Sequence, residues 1–117
     1  MKQLFKTKYD NKGIICRYND KYKIWINKEG IIYNEKMEKI KLYHNKSNTG
    51  RSYLYFNKDN YKRISAHRVI AYCWCKGYAK NKVVDHIDNN PNNNNPLNLQ
   101  WITQSENIKK SYRDREA

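Results

Sequence analysis

Residues 83–101, VVDHIDNNPNNNNPLNLQW, decide the fold of the second half of the chain. Two valines open the stretch and predict a short apolar strand that ends at Asp85 and His86. Asn and Pro dominate the residues that follow, and these residue types favour turns. Apolar and polar residues then alternate around Trp101, which predicts a second short strand. The stretch therefore reads as strand, long loop, strand.

A helix is predicted directly after this second strand. Thr103 and Glu106 have the spacing of a capping box, in which a hydroxyl and a carboxylate three residues later satisfy each other's backbone N–H groups. The helix should begin at Gln104 and run towards Tyr112. Residues 83–112 thus predict a β-strand, loop, β-strand, helix unit.

The first half of the sequence predicts short strands separated by turns, at residues 13–18, 22–26, 31–33, 40–44, 51–56 and 61–64. Turns are expected at residues 27–30, 47–50 and 57–60. A central helix is predicted for residues 66–75, capped by Ser65 and stopped by Gly77. Its apolar face should contain Val69, Ile70, Cys73 and Trp74. The predicted fold class is α+β, with an N-terminal antiparallel β-meander, a central helix and the C-terminal unit, in one compact domain.

Charge is the dominant feature of the composition. The 117 residues carry a formal charge of +13, with a pI near 9.7. Residues 1–66 contain 16 Lys and Arg against 6 Asp and Glu, whereas residues 67–117 contain 8 against 5. A basic excess of this size favours nucleic acid as the partner, although an anionic membrane remains an alternative. The sequence predicts a basic, β-rich DNA-binding region at 1–66 and a reactive region at 67–117.

The three cysteines indicate neither a disulfide framework nor a structural zinc site. Cys16, Cys73 and Cys75 cannot all pair, and no second cysteine pair with metal-binding spacing is present. The N-terminus lacks the apolar run of a signal peptide, and no stretch has membrane-spanning length. We therefore expect a soluble protein of the cytoplasm, with no membrane partner.

The candidate chemistry lies at the ends of the predicted elements. Asp85 ends one strand and Asn107 lies in the first turn of the following helix, so their side chains can converge. Two oxygen ligands with open positions suit a hard divalent ion such as Mg²⁺ or Mn²⁺. A histidine has an unperturbed pKa of about 6.5, so much of it is neutral at neutral pH. A neutral His86 could then accept a proton from an attacking water. Adjacent strand residues point to opposite faces, so Asp85 and His86 can share one site only if the backbone leaves extended geometry there.

The pattern Asp85-His86, Asn98-Leu99-Gln100-Trp101 and Asn107 resembles the HNH endonucleases, above all the phage intron-encoded homing endonucleases of that class. The resemblance covers residues 83–110 and extends more loosely to the helix at 67–71 and the strand at 22–33. It implies a ββα-metal fold in which Asp85 and Asn107 bind the metal. It further implies that His86 is the general base and that Asn98 braces the loop and orients the histidine.

The last motif position is Asn107 rather than the histidine that gives the family its name. The homing subgroup is similar in this respect. Because a neutral amide is a weaker ligand than imidazole for transition metals, Asn107 favours Mg²⁺ or Mn²⁺ over Zn²⁺. Most of the other loop asparagines, at 89, 90 and 92–95, are predicted to form a solvated loop, and Asp88 is predicted to form a turn, with a supporting acid of the site as the alternative.

The sequence thus predicts a metal-dependent DNA endonuclease that binds double-stranded DNA, as a monomer or a homodimer. A monomer should nick one strand, and a double-strand break needs a dimer or a second event. It could be phage-encoded in a bacterial host. The expected DNA contacts are Arg51, Lys62, Arg63 and Arg68. A nucleic-acid-binding module that does not cut is one alternative, and a basic protein-interaction domain is another. For each site residue, an ordinary structural role is the competing interpretation.

Overall fold

The computed structural model describes residues 5–45, 53–58 and 61–116, with side chains of 61, 62 and 111–116 outside the description. Within these residues, seven strands precede the first helix: β1 Thr7–Tyr9, β2 Ile15–Asn19, β3 Ile24–Asn27, β4 Ile32–Tyr33, β5 Tyr43–Asn45, β6 Tyr53–Lys58 and β7 Tyr61–Ser65. Helix α1 Ala66–Trp74, strand β8 Lys82–His86, a 3₁₀ turn Pro96–Asn98, strand β9 Leu99–Thr103 and helix α2 Gln104–Glu116 follow. The α+β class is confirmed.

The predicted meander is divided into two antiparallel sheets, one ordered β1-β2-β3-β4 and the other β5-β6-β7. The break falls where a strand at 40–44 was expected, and β5 starts only at Tyr43. The backbone N–H of Ile40 instead donates to the Ile32 carbonyl, which ties this segment to the first sheet. Strand β1 was not predicted, and the expected turn at 47–50 lies outside the described residues.

Helix α1 packs both sheets and the C-terminal hairpin around one core. Trp74 donates its indole N–H to the carbonyl of Ile26 at 3.0 Å, and Trp101 donates to the carbonyl of Ala71 at 3.3 Å. Val69, Ile70 and Cys73 are buried, as the helical spacing predicted. Ser65 occupies the N-cap position, but its side chain makes no capping hydrogen bond. Neither described helix has the length and apolar character needed to span a bilayer.

The C-terminal unit is an antiparallel hairpin followed by a helix. Strands β8 and β9 pair with Asp85 opposite Gln100 and His86 opposite Leu99. The capping box is confirmed, since the Glu106 carboxylate accepts from the Thr103 N–H and the Thr103 hydroxyl accepts from the Glu106 N–H, both at 3.1 Å. These bonds satisfy two N–H groups that a helix start leaves unpaired. Helix α2 therefore begins where the hairpin ends.

Gly30 joins the first sheet to the loop of the hairpin. Its φ is +88°, and a Cβ atom there would lie 2.4 Å from the carbonyl oxygen of Asn94. Gly13 also has a positive φ, +79°, but a Cβ at that position would meet nothing within 4 Å. A side chain at either position would therefore strain the backbone, but only at Gly30 would it also collide with the hairpin loop.

Replacing Gly30 with alanine should lower the free energy of unfolding by at least about 2 kcal/mol. The alanine would strain the backbone at this positive φ, and its Cβ would also force the hairpin loop to move. Gly13→Ala should cost only about 1 kcal/mol, from backbone strain alone. Urea denaturation of both variants measures the difference. Equal losses would contradict the close contact between Gly30 and the hairpin loop.

Candidate active site

Asp85 and His86 end strand β8 and face different helices. The carboxylate of Asp85 accepts hydrogen bonds from the side chains of Gln100, at 2.9 Å, and Lys110 of α2, at 2.8 Å. The ring of His86 lies against His67 of α1, with centroids 5.2 Å apart. The backbone stays extended through both residues, so the departure from strand geometry that a shared site required is not found within β8. The two groups instead flank the end of the hairpin.

Asn94 orients the ring of His86. Its amide oxygen lies 2.7 Å from Nε2 of the imidazole. Because an amide oxygen only accepts hydrogen bonds, Nε2 carries the proton in this arrangement and Nδ1 is left as the basic nitrogen. The sequence predicted that most asparagines of this loop are solvated, and Asn94 is an exception because it is buried. No sequence signal distinguished it from the neighbouring asparagines.

His67 places an uncharged ring beside His86. Burial is the main cause that lowers the pKa of His67 from 6.5 to about 4, with smaller contributions from the charges of His86 and Arg68. His67 is therefore neutral at neutral pH. Nδ1 of His67 and Nδ2 of Asn94 are the buried side-chain atoms of the described residues that have no hydrogen-bond partner. Such atoms usually bind water or a ligand.

This lowered pKa makes a prediction about acid stability. A histidine kept neutral by the fold contributes stability that is present above pH 6.5 and is lost as the pH falls towards 4. The loss should amount to about 3 kcal/mol. His67→Leu should remove that part of the dependence, whereas His44→Leu, at an exposed position, should not. Urea unfolding at pH 7, 5.5 and 4 tests this, and parallel curves for wild type and His67→Leu would contradict it.

Asn98 lies at the centre of the loop's hydrogen bonds. Its backbone carbonyl accepts from the Ile87 N–H at 2.8 Å, and its side-chain oxygen accepts from the Asp88 N–H at 3.1 Å. Its amide N–H groups donate to the carboxylate of Asp88 and the carbonyl of Asn93, each at 2.9 Å. The donors around Asp88, first Asn93, then the Asn90 N–H and Asn98, lower the pKa of its carboxyl group. Asn98 thus ties both ends of the loop together next to His86.

Lys110 was not predicted as a site residue. Its ammonium lies 2.8 Å from Oδ2 of Asp85, 2.9 Å from the carbonyl of His86 and 3.3 Å from that of Ile87. Asn107 is half-buried one helical turn earlier, so it lies on the same face of α2. Residues three apart in a helix are neighbours on its surface, so the spacing from Asn107 could have drawn attention to Lys110. Within the described residues, no three His, Cys, Asp or Glu side chains gather as a metal cluster.

The expected DNA contacts are only partly described. Arg51 and the side chain of Lys62 lie outside the described residues. Arg63 is exposed, donates to the side-chain oxygen of Asn45 at 2.5 Å and lies 4.7 Å from the ring centroid of Tyr55. Arg68 is exposed 5.8 Å from the ring centroid of Trp101. Arg63 and Arg68 line one cavity of about 650 Å³ together with Lys6 and Lys21.

Together, the antiparallel hairpin, the histidine at its end and the covering helix define a ββα unit of the HNH type. Residues 65–109 match the family described as HNH endonuclease. This segment makes up less than half of the chain.

Two viral proteins are similar over 47 residues. The DNA endonuclease I-HmuI of Bacillus phage SP01 is 45% identical, and the uncharacterized HNH endonuclease L245 of Acanthamoeba polyphaga mimivirus is 43% identical. Each match covers 40% of this chain, but only 27% and 14% of the respective relative. The similarity at this level is therefore to one part of larger proteins.

The structural likeness extends further along the chain. A solved structure described as DNA binding and cleavage by the HNH homing endonuclease I-HmuI matches with a TM-score of 0.68 and 26% identity. It covers 87% of this chain and 60% of that chain. The structural likeness thus reaches beyond the family segment, which begins only at residue 65.

Proposed function

We propose that this chain is a divalent-metal-dependent DNA endonuclease that hydrolyses phosphodiester bonds. The observation that carries the proposal is the pair Asp85 and His86 at the end of β8, with a carboxylate on the side of α2 and an imidazole on the side of α1. The DNA binding and cleavage named for the structural relative supports DNA as the substrate.

The opposite orientation of these two groups suits an in-line displacement. In phosphoryl transfer the attacking and leaving oxygens lie roughly on opposite sides of the phosphorus. A phosphate across the end of the hairpin would have the imidazole of His86 on one side and the carboxylate of Asp85 on the other. Asp85 and His86 could therefore serve one reaction centre from opposite faces of β8. The backbone would not need to leave extended geometry, as the sequence suggested it must.

His86 has the features of a general base. Nδ1 of the imidazole can accept a proton from the attacking water, because the 2.7 Å contact with Asn94 holds the proton on Nε2. Asn98 positions the histidine indirectly by closing the loop that follows it. The neutral His67 places no second positive charge beside the imidazolium that forms.

The residues on the other side fit a hard cation. Oδ2 of Asp85 and the carbonyls of His86 and Ile87 already surround the ammonium of Lys110, so this position accepts positive charge with oxygen ligands. Asp85 and Asn107 would hold Mg²⁺ or Mn²⁺ there. When bound, such an ion would stabilise the negative charge that develops on the phosphate and the leaving oxygen.

The basic cavity is the proposed contact with the DNA backbone. Arg63 and Arg68 line it, and Arg68 directly follows His67, which touches the candidate base. Phosphates bound by these guanidinium groups would position the strand without reading its sequence. Since the described part of the chain contains one such site, a monomer should nick. The viral origin of the relatives favours action on DNA inside an infected cell.

Supercoiled plasmid tests the proposal directly. Incubation with Mg²⁺ or Mn²⁺ should convert it to the relaxed form before linear product accumulates, and EDTA should prevent the conversion. Salt-sensitive binding without relaxation would contradict the endonuclease and favour a non-cleaving DNA-binding module. Neither binding nor relaxation would favour a protein-interaction domain.

A further inference from the structure

We propose that Lys110 is an internal counter-cation that occupies the cation position of Asp85 in the metal-free protein and competes with the divalent ion. The inference rests on the metal site of the proposed function, but not on DNA cleavage. It assigns a role to a residue outside the motif.

The geometry is that of a bound cation rather than a loose surface pair. The ammonium of Lys110 has three oxygens around it, at 2.8, 2.9 and 3.3 Å. The side chain of Lys110 is 14% exposed and that of Asp85 is 9% exposed. Two of the three oxygens are backbone carbonyls, His86 and Ile87, which supply no negative charge. A lysine ammonium donates three hydrogen bonds, so all three protons can be matched here.

Competition follows from the charges. Asp85 supplies one negative charge, and no other carboxylate of the described residues forms an ion pair with Lys110. An ammonium and a divalent ion on the same carboxylate would repel each other strongly at this burial. Asn107 adds no charge, so it cannot offset that repulsion. The ammonium is carried by a flexible four-carbon stem and can move out to solvent, whereas the carboxylate is fixed at the end of a strand.

The consequence is that the site is stable without metal and has a lower apparent affinity for the divalent ion. The carboxylate of Asp85 is never left buried without a partner, which would be unfavourable. In return, the divalent ion binds only in the fraction of molecules from which the ammonium has withdrawn, and the apparent affinity falls by that fraction. Lys110 therefore sets the metal concentration at which the site fills.

Lys110→Met tests the competition, because it keeps much of the apolar stem and removes the charge. Mn²⁺ binding, followed by electron paramagnetic resonance of the free ion at fixed pH and ionic strength, should tighten at least about tenfold. Lys109→Met removes the same charge from an exposed neighbour and should change the affinity less than about twofold, because exposed charges are screened. Unchanged or weaker binding in Lys110→Met overturns the proposal, as does a failure of both variants and the wild type to bind Mn²⁺.

A second measurement uses the wild-type protein, so it does not require that a substituted protein fold correctly. In the ¹⁵N spectrum of the lysine ammonium groups, Lys110 should have a distinct protected signal without metal and lose its protection as Mg²⁺ saturates the site. A signal that remains unchanged while the Asp85 carboxyl carbon shifts would show that both cations are held together, and would overturn the proposal. Tighter Mn²⁺ binding by Lys110→Met without plasmid nicking would support the competition and count against the endonuclease activity. Plasmid nicking with unchanged Mn²⁺ binding by Lys110→Met would support the endonuclease activity and overturn the competition.

Discussion

Replacing His86 with alanine is expected to lower the initial rate of metal-dependent plasmid nicking about 10²- to 10⁴-fold, the usual contribution of a general base. The imidazole is the proposed base, and the contact of its Nε2 with Asn94 leaves Nδ1 available for the proton of water. DNA binding should be retained, because the guanidinium groups of Arg63 and Arg68 remain in place. The rate of relaxation of supercoiled plasmid with Mg²⁺ measures the effect.

His44→Ala is the matched control, since His44 is an exposed histidine of β5. It should nick at the wild-type rate. A His86→Ala protein that remains folded by circular dichroism and nicks within about threefold of wild type would be incompatible with a role as general base. The opposite pattern, with loss only in His44→Ala, would place the chemistry elsewhere.

Asp85→Asn should lower both Mn²⁺ affinity and metal-dependent nicking by more than about a hundredfold, because it removes the only charged ligand proposed for the ion. It should also lower the free energy of unfolding by about 1–3 kcal/mol, since the ammonium of Lys110 loses its charged partner at a largely buried position. Metal titrations, plasmid nicking and urea denaturation measure the three effects.

Glu38→Gln is the control for this change, as it removes a carboxylate that is exposed and hydrogen-bonded to Asn34. Metal affinity and nicking should stay at wild-type values. If Asp85→Asn kept its Mn²⁺ affinity, the proposed ligand assignment would be wrong, whatever the effect on stability.

The parts of the fold that are specified locally could be predicted from the sequence. The capping box at Thr103 fixes the start of α2 through two hydrogen bonds between neighbours in the chain. The buried face of α1 follows from helical spacing, because any packing partner must cover the same stripe. Asn89, with φ +63°, adopts the left-handed conformation that makes asparagine common in turns.

The parts that depend on contacts distant in sequence could not be predicted. Asn94 is one asparagine in a run, and only the approach of Gly30 and His86 in the fold distinguishes it. The contact between Lys110 and Asp85 spans 25 residues and requires α2 to lie across β8. The division into two sheets depends on Ile40, whose alternating neighbours resembled a strand although its N–H bonds back to Ile32. In each case a tertiary contact overrode the local pattern.

An anomalous difference map from crystals soaked in MnCl₂ tests the central claim most directly. The proposal predicts one strong peak at the end of β8, bonded to a carboxylate oxygen of Asp85 and to the side-chain oxygen of Asn107, with Lys110 withdrawn. A peak bound elsewhere, or none at full soaking with Asp85 still paired to Lys110, would contradict the metal site on which the proposed hydrolysis rests.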